Sequence, residues 1–173
     1  KRFEFQKITI SGCGLREGAM FRYAVPSITE RPLSDVLGHS LYTQMKYFDI
    51  NIDHAEHVYN LSIQLFKQLK VLHKMPRSYV RVLKIAALLH DSGMRIKFYN
   101  HQLHSQYIIL NSNLYGVPHK EIVLASLVAY GHRTSEFARE DILKYKDMIS
   151  AEDFEAVKKL SVILRIAESF DRS

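Results

Sequence analysis

The chain has 173 residues, 47% of them hydrophobic, a length that suits one domain, or one domain with a fragment of another, and that buries most of its apolar surface unaided. The single cysteine, Cys13, excludes an internal disulfide and fits an inert thiol in a reducing, cytoplasmic setting, and no apolar run approaches the ~20 residues that span a bilayer. A net charge of +6, scattered and without zinc-finger spacing or an RNP-type motif, favours an anionic small molecule over nucleic acid or a membrane surface.

Residues 3–11, FEFQKITIS, alternate apolar and polar apart from a slip at Lys7 and predict a strand, plain or bulged at the slip, or two short strands. The turn-rich SGCGLREG leads into a short helix over Leu15–Tyr23, and Pro26 and Pro32 bracket a linker. From Leu33 onward the periodicity is helical. Leu33, Leu37, Leu41, Met45 and Phe48 form one stripe, and Asp53 is the expected N-cap of a long helix carrying Val58, Leu61, Leu65, Leu69 and Leu72. Pro76 ends it. Ser78 is the expected cap of a helix running to His90 and Asp91, with Gly93 as its stop. Further helices are predicted over Leu103–Asn111, from Pro118 to about His132, and from Ser150, which with Asp153 has the form of a capping box. The chain thus reads as a strand-containing piece, residues 1–32, followed by an all-helical domain, residues 33–173.

Nine histidines are the oddity of the composition. In the helix ending at residue 91, Leu83, Ala87 and Asp91 recur at helical spacing, and Val82, Ala86, Leu89 and His90 form the adjoining row. In the last helix Asp171 continues the row Leu160, Leu164, Ala167. His132 shares a face with Ala125 and Val128, and His57 with Leu61 and Leu65. One histidine on an apolar face is more often a hydrogen-bonded core residue than a ligand. Several polar groups on core faces of different helices are harder to dismiss, because a buried ionised carboxylate costs several kcal/mol unless it is paired or metal-bound. Imidazole and carboxylate without thiolate suit Mn, Fe, Ni or Zn rather than a structural zinc site. Periodicity does not separate His54 from His57, or His101 from His104. His39, His73 and His119 are assigned to the surface or to caps.

The ordered set His57, His90-Asp91, Asp171 resembles the H…HD…D signature of the HD-domain metal-dependent phosphohydrolases, an all-helical superfamily, and His104 in HQLHSQYII and His132 in AYGHR resemble the added ligands of its two-metal members. A closer resemblance covers nearly the whole chain. ISGCGLREGAM is similar to the closing strand and turn of the actin-like domain of the Ppx/GppA exopolyphosphatases and guanosine pentaphosphatases, and HSQYIILNSNLYGVPHKEIVLASLVAYGHR to their helical C-terminal domain. The resemblance implies an all-α HD bundle with a strand left from an upstream actin-like domain. Departures are informative too. HDSGMR lacks the Glu-Asp pair that follows HD in the (p)ppGpp hydrolases of this class, and the Gly-Tyr-Pro signature of the cyclic-dinucleotide phosphodiesterases is absent.

On this resemblance one or two divalent ions (Mn, Fe, Ni or Zn, with Mg a further candidate) are expected at His57, His90, Asp91, His104, His132 and Asp171, with Asp91 also orienting the attacking water as the catalytic residue. Arg95, Lys97 and Arg133 are the expected phosphate-binding cations. The implied activity is hydrolysis of a phosphate ester or anhydride of the nucleotide or polyphosphate class. Its rival is a non-catalytic regulatory or polyphosphate-gripping module of a larger phosphatase. A strand without its parent sheet exposes an edge, so pairing of two chains into a homodimer is expected from residues 3–11.

Overall fold

The computed structural model describes residues 14–24, 35–137 and 144–171, and the chain divides into two units, Lys1–Asp35 and Val36–Ser173. The strand predicted over residues 3–11, Cys13, the linker and the boundary at residues 32–33 lie outside the described residues. In the first unit the structure describes α1, Leu15–Ala24, whose Leu15, Met20 and Tyr23 side chains are exposed.

The described part of the second unit is all-α. It comprises α2 (Val36–Tyr47), α3 (Ile52–Gln68), the single turn α4 (Lys70–His73), α5 (Tyr79–Leu89), a 3-10 turn (Ser92–Arg95), α6 (His101–Asn111), α7 (His119–Gly131) and α8 (Ala151–Asp171). Several boundaries correct the sequence expectation where local side chains compete. Asn51, not Asp53, caps α3, its side chain accepting from the His54 N–H at 3.2 Å. Asp53 sits instead in the first turn, where a carboxylate complements the helix dipole. Ser78 precedes α5 but makes no side-chain cap bond. The long helix expected through Leu72 breaks at Leu69, and α4 closes on Lys74 at φ 57°. His73 in α4 is not at the surface. It is buried, with Met75 N–H donating to its Nδ1 at 2.9 Å and its Nε2 donating to the Phe66 carbonyl at 2.7 Å. The Ser150–Asp153 box forms as its spacing suggests: Ser150 N–H donates to Asp153 Oδ2 at 2.8 Å and Asp153 N–H to Ser150 Oγ at 3.2 Å.

The core is a ring of four helices. α3 packs on α5 and α8, α7 packs on the same two, and α6 lies on α7 and the 3-10 turn. α5 and α7 are apolar on nearly every side, from Val82 to Leu89 and from Ile122 to Ala129, which is why both run through the interior. Fully buried Leu83, Ile85, Leu89, Leu127, Leu160 and Leu164 each contribute about 1.5–3 kcal/mol of burial.

Two glycines set the approach of the elements that matter below. A Cβ at Gly93 would lie 2.1 Å from the His101 carbonyl oxygen, so Gly93 is not the helix stop expected from sequence but the residue that lets the 3-10 turn touch the start of α6. Gly93 N–H donates to the buried Ser105 Oγ at 2.9 Å, which fixes that contact. A Cβ at Gly131 would lie 2.2 Å from Ser161 Oγ, so the end of α7 sits tightly on α8.

Candidate metal centre

Element ends converge at one place. The start of α3 brings His54, the end of α5 brings His90 and Asp91, the start of α6 brings His101 and the residue after α7 brings His132. Two groups of mutually close donor atoms result, His54, His90 and Asp91 on one side and Asp91, His101 and His132 on the other. Asp91 belongs to both, one oxygen to each. Its Oδ2 lies 3.4 Å from His54 Nε2 and 3.5 Å from His90 Nε2, and its Oδ1 lies 3.2 Å from His101 Nε2.

The histidines of the core are oriented by one repeated device. His90 Nδ1 donates to the Ala87 carbonyl at 2.8 Å, His101 Nδ1 to Phe98 at 2.9 Å, and His132 Nδ1 to Ala129, each to the carbonyl three residues back. A carbonyl only accepts, so in each neutral ring Nδ1 carries the proton and Nε2 the lone pair. All three Nε2 atoms face the Asp91 region, and those of His101 and His132 are 3.1 Å apart. His54 differs: its Nδ1 binds the Asp171 carboxylate at 2.5 Å, which turns Nε2 toward Asp91.

Lone pairs and a carboxylate packed this closely repel unless a cation lies among them. Two atoms carry the signature. His90 Nε2 and Asp91 Oδ1 are buried without a hydrogen-bond partner, the His101 contact to Oδ1 being close but off line. A buried unpaired acceptor costs about 1–3 kcal/mol, more when charged. Burial by itself would raise the Asp91 carboxyl, yet adjacent His101 and then the imidazoles of His90 and His132 hold it well below the carboxylate range. Contact with Asp91 pushes His101 up, while burial pushes His132 well down, so that it is a neutral donor. The donor set of imidazoles and a carboxylate oxygen fits a divalent transition ion.

Within each ambiguous pair, the donor groups contain the neighbour one turn before the histidine expected from the resemblance. His57 is 57% exposed at its side chain and reaches only Asp171, at 3.6 Å, and His104 lies outside both groups, its Cβ packed beside Gly93. Both pairs share an apolar stripe at i and i+3, so the deciding quantity is where the helix begins relative to its neighbours, which periodicity does not encode. Asp171 contacts His54 and His57 and is in neither donor group. Arg133, expected on phosphate, is tied to buried Glu168 at 3.1 Å. Arg95 is largely exposed, 3.9 Å from Asp49, and Lys97 is exposed. Glu168 was missed by the sequence reading. Its carboxylate lies 3.9 Å from His132 Nε2, and the row Leu160, Leu164, Glu168 was the available signal.

A family model for the Ppx/GppA phosphatases, domain III, matches residues 38–173. The chain is 26% identical over 163 residues to a guanosine-5'-triphosphate,3'-diphosphate pyrophosphatase of Aeromonas hydrophila subsp. hydrophila, covering 94% of this chain and 31% of that protein. Proteins of the same description from Aeromonas salmonicida and Pseudoalteromonas translucida are 27% and 26% identical over 140 and 137 residues, covering 80% and 76% of this chain and 27% and 26% of those proteins. The chain therefore spans about a quarter to a third of the length of the curated relatives it matches.

Proposed function

The chain belongs to the Ppx/GppA phosphatase family, and from that premise we propose that its histidine–aspartate cluster is the centre of a metal-dependent phosphohydrolase module acting on a phosphate ester or anhydride. The observation that carries the reading is the set of three histidines with Nδ1 committed to backbone carbonyls and Nε2 turned on one carboxylate. His54 and His90 with Asp91 Oδ2 would hold one ion, and His101 and His132 with Asp91 Oδ1 a second. A divalent ion there supplies a Lewis acid for a phosphoryl oxygen and acidifies the water that attacks phosphorus. The chain's own part is positional. Asp91 bridges the two halves and offers an acceptor for a water proton, Asp171 holds the His54 ring in the tautomer that points Nε2 inward, and Glu168 with Arg133 braces the His132 side. Arg95 and Lys97 stand on the rim as phosphate contacts. Hydrolysis of nucleotide or polyphosphate anhydrides in the cytoplasm is the corresponding cellular role.

The short span of the chain against its relatives favours one rival, a module that binds metal and phosphate without cleaving, the named activity of those relatives residing elsewhere in their chains. Metal analysis followed by phosphatase assay with and without added Mn separates the two. The expected result is stoichiometric metal, slow Mn-dependent cleavage of nucleotides or a small activated ester, and loss of both in Asp91→Asn. Bound metal with no cleavage of any phosphate by the parent would leave the rival standing.

A further inference from the structure

Asp91 and His101 are joined by a nine-residue connection that is unusual in what it shows to solvent. Ile96 is 58%, Phe98 64% and Tyr99 74% exposed, while Arg95 and Lys97 alternate with them. Scattered apolar side chains are ordinary on a surface, but several in one short segment beside a polar centre mark a contact surface. The position of Phe98 is fixed by the centre itself, since its carbonyl accepts the His101 Nδ1 proton at 2.9 Å and its ring lies 6.2 Å from the His101 ring at 41°. Tyr99 meets Phe98 edge-on, the centroids 5.6 Å apart at 85°. The Phe98 ring forms a shelf one ring's breadth from the imidazole that touches Asp91, with the Tyr99 ring perpendicular at its side.

A long polyphosphate calls for a row of cations. Here the segment between Asp91 and His101 offers exposed Arg95 and Lys97, and the third candidate, Arg133, is tied to Glu168. Two cations in the same short segment as an exposed aromatic ring instead match a ligand with phosphate at one end and a heteroaromatic ring at the other. We infer that Phe98 and Tyr99 are specificity-determining residues, Phe98 stacking the base of a nucleotide whose phosphate lies at the histidine–aspartate centre and Tyr99 flanking that base, with Arg95 and Lys97 on its phosphate oxygens. The inference rests on the phosphate-binding reading of that centre and adds the residues that recognise the base.

Equilibrium titration of the full chain, Mn present, with adenosine 5'-monophosphate and with ribose 5-phosphate tests it. Base stacking on an aromatic side chain corresponds to roughly 5- to 150-fold in affinity. The parent should bind the nucleotide at least about tenfold tighter than the sugar phosphate, Phe98→Ala should remove most of that preference without weakening ribose 5-phosphate, and Phe98→Trp should restore it. Tyr99→Ala should reduce the preference in the same direction, at a side chain too exposed to be needed for folding. Equal affinity for the two ligands in the parent, failure to bind either, or equal weakening of both in Phe98→Ala would overturn the inference. Binding is read without turnover, so the catalytic reading fails separately: a protein that stacks the nucleotide through Phe98 but cleaves nothing retains the shelf and loses the chemistry.

Discussion

At the residue scale the chain resolves its surplus of histidines by what each ring's Nδ1 is given. His73 has both nitrogens satisfied by backbone and is a core residue, whereas His90, His101 and His132 give only Nδ1 to the backbone. The consequence is a ranking that single substitutions can check by metal quantification. His54→Ala and His101→Ala should each deplete bound metal strongly, while His57→Ala and His104→Ala should leave it near the parent value. Asp171→Asn, which weakens the grip on His54 without removing a donor, should lower metal affinity by about 10- to 100-fold. Depletion by His57→Ala greater than by His54→Ala would reverse the assignment.

A second polar cluster gives a pH prediction free of the metal centre. Burial would raise the Asp153 carboxyl, but Lys120 Nζ at 2.7 Å, Ser150 and Tyr79 bring it down to about 2. A folded-state value below the unfolded one contributes stability above about pH 4 that disappears as pH falls toward about 2, about 2 kcal/mol in all. Tyr79 has the opposite sign. Burial, then Asp153, pushes its phenol up to about 12, so its contribution is complete below about pH 10 and disappears as pH rises through about 12. Denaturant melts of metal-free parent and Asp153→Asn should differ most near neutrality and converge in strong acid. A gap that stays constant down to pH 2 would show that Asp153 is neutral in the fold.

At the element scale, the centre depends on where helices start and stop. Asn51 caps α3 through the N–H of His54 itself, so the cap and the donor are one device. Asn51→Ala should cost about 1 kcal/mol and loosen His54, with a measurable fall in metal affinity. Gly93 is the stricter case. Any side chain there meets the His101 carbonyl, a backbone group that gives way only if α6 moves. Gly93→Ala should therefore cost about 1–3 kcal/mol by overpacking, with metal affinity lowered because Asp91 and His101 separate. A parent-like melting curve and metal content in Gly93→Ala would refute the close approach.

For the whole molecule, a centre built from four element ends ties metal to fold. Ligand bound only to the folded state stabilises it by about 2.7 kcal/mol at a hundredfold excess over Kd, and for a domain of this size each kcal/mol moves the melting temperature by about 2–4 °C. Chelation should thus lower Tm by about 5–10 °C, reversed on adding Mn, and the shift should vanish in Asp91→Asn. An unchanged Tm on chelation would mean that the cluster holds no ion in solution.

The sequence by itself determined the all-helical class of the described residues 36–137 and 144–171, the interior course of α5 and α7, the Ser150–Asp153 box and the arrival of His90, Asp91 and His132 at helix ends, because apolar periodicity and capping chemistry are local. It also placed the chain by resemblance in the family that the comparison later established. Only the tertiary structure brings His54 and His101, rather than His57 and His104, into the two donor groups and leaves Asp171 outside them. Those choices turn on how far one helix slides along another, set by Gly93 against α6, Gly131 against Ser161 and Asn51 at the head of α3. Residues three apart on one stripe look alike along the chain, and a contact between separate helices tells them apart.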